Sequence, residues 1–71
     1  MYVIITTYDW TEETDVFKVR NQREGKQILR TLFLDCCKGK YDLNNTFINK
    51  KYAQVVNGIN KTVFRLAKVY E

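Results

Sequence analysis

One stretch of this chain carries helical periodicity, and the segments on either side of it read as strand. Ile28, Leu29, Leu32, Phe33 and Cys36 are spaced i, i+1, i+4, i+5 and i+8. At 100° per residue they fall in one arc of about 140°, with Gly25 inside it. Asn21 stands before this pattern as a favoured N-cap, and Glu24, three residues on, is placed to bond back to the cap's own N–H. Gly39 follows Lys38 as a left-handed stop with a cation in the last turn. These signals predict a helix over residues 22–38. A single amphipathic helix must lay its apolar arc on something else, and strands are what the rest of the chain offers.

The opening MYVIITTYDW is β-branched and aromatic almost throughout, which is strand composition. The acidic segment Asp9 to Asp15 interrupts it as a turn, and Val16 to Arg20 resumes it. Residues 2–10 and 14–20 are therefore expected to form an antiparallel hairpin, with Phe17 and Val19 on one face. After the helix, residues 39–51 read as a long connector pinned by Tyr41, Leu43, Phe47 and Ile48. Residues 52–56 then form a strand, Asn57-Gly58 a turn and residues 62–70 the last strand. Asn-Gly between apolar runs signals a hairpin, and Ile59-Asn60-Lys61 suggests a loop longer than two residues. A bulge near Ala67 would return Val69 to the core face that Phe64 and Leu66 share. The expectation is ββαββ: an α+β two-layer sandwich, with a four-stranded, mainly antiparallel sheet and one helix on one face. Seventy-one residues make this a single domain, residues 1–71, that hides roughly 60% of its extended surface.

Composition narrows the chemistry sharply. The chain has no His, no Ser and no Pro, and its two cysteines are the neighbours Cys36 and Cys37. A disulfide between adjacent residues would need a strained eight-membered ring, so reduced thiols in a cytosol are expected. Cys36 sits in the apolar arc at the end of the helix, where burial and the dipole both raise a thiol pKa, and no His can act as base. It reads as a small core hydrophobe. Two adjacent Cys without His cannot supply a tetrahedral metal site. The acidic segment Asp9-x-x-Glu12-Glu13-x-Asp15 lacks the glycine and terminal glutamate of a calcium loop. The three glycines are isolated, so no phosphate cradle precedes the helix. No enzyme, no metal and no cofactor are expected. No stretch has the 18–20 apolar residues of a membrane span, and the Asn-x-Thr triplets at Asn44 and Asn60 are taken as coincidence. The expected setting is the cytoplasm.

Surface contact is what remains, and charge is segregated for it. Of 12 basic and 8 acidic side chains, four acids (Asp9, Glu12, Glu13 and Asp15) fall within seven residues. The rest of the chain is strongly basic and favours phosphate-bearing or acidic partners. On the helix, Arg23, Lys26 and Arg30 lie within about 60° of one another, with Leu34 projecting beside them. Such a stripe can meet acidic protein or phosphate; the plainer account is a solvated helix face. Strand 1 is apolar on both faces. With Val3 and Ile5 toward the helix, Tyr2, Tyr8 and Trp10 would lie on the open side beside Lys18 and Arg20. That surface would suit nucleic acid, a homodimer or a protein partner. Tyr8, Trp10, Glu12 and Glu13 rank first as a protein contact, because a lone Trp at a hairpin tip has no evident structural duty.

The strand MYVIITTYDW, the capped helix and the closing YAQVVNG…TVFRLAKVY together resemble small ββαββ accessory proteins of phages and conjugative elements in low-GC Gram-positive bacteria. Those proteins often begin with a similar ITTYD strand. Compact accessory proteins of that origin, anti-CRISPRs among them, often occlude a surface on a host or defence complex. The resemblance implies that mode of action. It names no target and carries over no functional residue.

Overall fold

The computed structural model describes residues 1–38 and 41–69. Among them lie β1 (Tyr2–Tyr8), β2 (Thr14–Val19), α1 (Gln22–Cys36), β3 (Phe47–Ile48), β4 (Tyr52–Asn57) and β5 (Asn60–Lys68). One sheet runs in the order β2-β1-β5-β4-β3, and every neighbouring pair is antiparallel. The α+β two-layer class is as expected, with a fifth strand added. That strand, β3, is two residues of the connector paired onto β4 through Phe47↔Gln54 and Ile48↔Ala53.

The helix starts where its cap predicts. Asn21 is extended and its Oδ1 accepts from the Glu24 amide at 2.9 Å. The returning bond goes one residue further back than expected: the Arg20 amide, not that of Asn21, donates to Glu24 Oε2 at 3.1 Å. The last turn closes at Cys37, whose amide reaches the carbonyls of Phe33 and Leu34. Lys38 lies past the helix and pairs with Asp35 at 3.2 Å. The expected stop at Gly39 and the strand end at Tyr70 fall outside the described residues.

The helix lays its arc on Ile4, Val19, Ala53, Val55, Phe64 and Leu66, with Leu29 at the centre and Ile28, Leu32, Phe33, Cys36 and Cys37 around it. This reverses the expected facing of β1. Ile4, fully buried, points at the helix and pairs laterally with Leu66, so Tyr2, Thr6 and Tyr8 share its side. Val3, Ile5 and Thr7 are on the open face. The cause is register: the row Phe17–Ile4–Leu66 joins the side of β2 that carries Val19 to the side of β5 that carries Phe64. The aromatics proposed for an open stacking surface beside Lys18 and Arg20 are therefore not there.

Two further expectations fail for local reasons. No bulge interrupts β5 at Ala67, because pairing to β1 continues from Val3↔Ala67 to Tyr2↔Lys68, and Val69 stays exposed. The β4–β5 loop is only two residues long, since Asn57 pairs with Asn60. Gly58 takes φ 64° at its first position, as a glycine-first hairpin turn requires.

The connector is held by polar groups more than by its apolar side chains, of which Phe47 stacks on Tyr52. Tyr41, Leu43, Phe47 and Ile48 are all exposed. The Asp42 amide donates to the Val56 carbonyl at 2.8 Å, and Thr46 Oγ1 accepts from the Val56 amide at 3.1 Å. Gln54 Nε2 donates to the Asn45 carbonyl at 2.7 Å. The Asp42 carboxylate accepts from the Asn45 side chain and the Asn44 amide, which hold its pKa below the ordinary value.

Candidate functional site

The β1–β2 turn is built as a braced tip. Asp9 fastens its first residue to β5: its amide donates to the Lys61 carbonyl at 3.1 Å and its Oδ1 accepts from the Lys61 amide at 2.9 Å. The next residue, Trp10, lies in the turn beyond the end of β1. Its ring meets that of Tyr8 at a centroid distance of 5.0 Å and a tilt of 49°, within the range of favourable aromatic pairs. Tyr8 is fixed in turn by donating its hydroxyl to Asp15 Oδ2 at 2.7 Å. That hydrogen bond, ahead of burial and the Asp15 charge, pushes the Tyr8 phenol above its ordinary pKa. Trp10 nonetheless remains 54% exposed, and Glu12 and Glu13 stand exposed in the same turn. Tyr8 and Trp10 are thus brought together, and Glu12 and Glu13 lie exposed in the same turn.

The helix stripe is brought together in part. Lys26, Arg30 and Leu34 line one wall of a groove of about 560 Å³, facing Ile48, Asn49 and Lys50, with Phe33 between the walls. Arg23 is exposed one turn earlier and does not line it. The sequence reading missed Lys50 and Ile48 because they belong to the connector. Their signal was the Phe-Ile pair ahead of Asn49, whose Oδ1 accepts from the amides of Lys51 and Tyr52 and turns the chain into β4. The acidic tip and this groove lie toward opposite edges of the sheet, beside β2 and β3 respectively.

The open face presents a third arrangement that strand 1 did not foretell. Phe47 and Tyr52 stack at 5.6 Å and 25°. Arg65 is the cross-strand neighbour of Tyr52, and Lys18 lies on the same face beyond Val3.

Burial, then the neighbouring Cys37 and Asp35, pushes the Cys36 thiol up, and burial does the same to Cys37. Neither is poised as a thiolate nucleophile at neutral pH. Among the described residues no three His, Cys, Asp or Glu side chains gather as a metal-ligand set. No helix among them is long and apolar enough to cross a membrane. Comparison with protein-family models, with characterised proteins and with solved structures finds no match to this chain.

Proposed function

We propose that this chain is a non-enzymatic binding protein, an accessory protein of a phage or mobile element that inhibits or modulates a larger host or defence complex by protein–protein contact. The observation that carries the reading is the braced Trp10. An exposed tryptophan is the side chain most enriched at binding hot spots. Here its partner Tyr8 is already locked by Asp15, so less side-chain freedom is lost on binding. Glu12 and Glu13 beside it would steer a basic surface toward the tip. The basic groove at the other edge leaves room for a second contact of opposite polarity.

The test is capture of partners from an extract of a Gram-positive host, read by mass spectrometry, with the parent chain, Trp10→Ala and Arg23→Ala/Arg30→Ala. Circular dichroism establishes that each variant is folded. The reading expects Trp10→Ala to lose a partner that the arginine variant keeps. A folded Trp10→Ala that captures the same proteins as the parent overturns it.

One observation favours a second reading, a nucleic-acid-binding module. It is the Phe47–Tyr52 stack beside Arg65 on the open face, since aromatics on a sheet are how bases are stacked. A third, self-association as a homodimer through that face, would show as a concentration-dependent sedimentation coefficient.

A further inference from the structure

The groove between α1 and β3 combines two features that an isolated domain gains nothing from. Its charged lining is entirely cationic: Lys26, Arg30 and Lys50. None of the three has an ion-pair partner among the described residues. Its apolar lining is left in water, with Leu34 53% and Ile48 38% exposed above Phe33. Like charges facing one another across a gap repel, and exposed apolar side chains gain by being covered. Both penalties are relieved by one kind of occupant, a segment with acids around an apolar side chain.

Phosphate chains fit less well. Three cations are fewer than the roughly 6–10 phosphate contacts that make nucleic-acid binding strong, and a leucine and an isoleucine give a sugar-phosphate backbone nothing to bond. The wall on the strand side is also short, because β3 has two residues at the sheet edge. An extended or turning peptide is the right scale for such a cleft.

We propose that this groove docks an acidic peptide segment of a protein partner. One bulky apolar side chain of the segment seats against Phe33, Leu34 and Ile48, and its flanking carboxylates pair with Lys26, Arg30 and Lys50. The site is independent of the Trp10 tip and of opposite polarity, so its fate does not follow that of the tip.

The experiment selects random 12-residue peptides displayed against the immobilised 71-residue chain. Enriched peptides are then titrated into labelled protein and followed by amide chemical shifts. The expected result is a consensus of Asp or Glu on both sides of a Leu, Ile, Phe or Trp, with shifts clustered at residues 26–34 and 48–50. Lys26→Glu/Arg30→Glu should weaken binding at least tenfold, and Leu34→Ala, which leaves every charge in place, several-fold. All three substitutions are at exposed helix positions, and the variants' amide spectra report that the fold persists. A consensus without acids, shifts elsewhere, no enrichment, or binding untouched by Lys26→Glu/Arg30→Glu overturns the proposal. So does a 20-nucleotide single strand that binds the groove more tightly than the peptides. Groove shifts that appear on concentrating the protein alone would assign the site to a second copy and overturn it too.

Discussion

A Cβ built on Gly25 would stand 2.5 Å from Leu66 Cδ1 and 3.2 Å from Val19 Cγ2. The first turn of α1 therefore rests on the sheet at a separation that suits glycine. Leu66 and Val19 are both buried, so neither can swing clear without opening a gap elsewhere. Gly25→Ala gains up to about 1 kcal/mol of helix propensity but overpacks the contact, which costs about 1–3 kcal/mol. The net expectation is a loss of roughly 1 kcal/mol, read from the urea midpoint at unchanged slope. A variant as stable as the parent would show that the helix can lift at no penalty.

How much of this was legible follows from the same contacts. The arc Gly25, Ile28, Leu29, Leu32, Phe33 and Cys36 was readable because polar residues separate its members at helical spacing, and it is the surface that packs. In β5, Arg65 separates Phe64 from Leu66, so its inward face was readable too. β1 offers no such contrast: Tyr2, Val3, Ile4 and Ile5 are apolar at both parities. Its facing is decided by non-local pairing, Ile4↔Phe17 and Ile4↔Leu66, which no single segment encodes. β3 was hidden because two residues show no period. The tip emerged from composition, since an isolated Trp among acids is visible in any sequence. The groove did not, because half of it is a connector whose position depends on hydrogen bonds that Thr46, Asn45 and Asn49 accept from β4.

The Tyr8–Asp15 hydrogen bond gives the tip a pH dependence of defined sign. The folded phenol holds its proton more tightly than the ordinary tyrosine value of 10.0, so above that value the folded state binds more protons than the unfolded chain. Its contribution to stability is then fully present below pH 10 and is lost as pH rises through the folded pKa. The stability gap between the parent and Tyr8→Phe should be constant from pH 7 to 9 and narrow above 10. A gap that is the same at pH 8 and pH 11, measured by urea unfolding, would mean that the hydroxyl's partner does not matter.

The two thiols should be slow and unequal. Burial is the first cause at both, and Cys36 carries in addition the influence of Cys37 and Asp35. Because only the thiolate attacks an alkylating agent, iodoacetamide at pH 7.5 should modify both more slowly than in the urea-unfolded chain. Cys37 should react before Cys36. Peptide mapping by mass spectrometry resolves the order. Faster alkylation of Cys36 in the folded protein than in urea would contradict its place against the core.

The protein-contact and nucleic-acid readings separate on salt and on Phe47. Phosphate neutralisation makes affinity fall by orders of magnitude between 50 and 200 mM salt when about 6–10 contacts are made. A partner seated on Trp10 relies on apolar contact and should weaken far less over that range. On the open face, Phe47 sits at the sheet edge, stacked on Tyr52 and exposed, so Phe47→Ala removes a platform for a base with little disturbance to the core. Base stacking on an aromatic is worth about 1–3 kcal/mol. Under the protein-contact reading a 20-nucleotide single strand binds no tighter than about 10⁻⁴ M at 150 mM salt, the weak end of non-specific affinity. Phe47→Ala then changes nothing measurable, and the partner captured through Trp10 survives the salt. If the oligonucleotide binds at micromolar strength, loses tenfold or more with Phe47→Ala and is indifferent to Trp10→Ala, the working surface is the open sheet and the protein reads single strands.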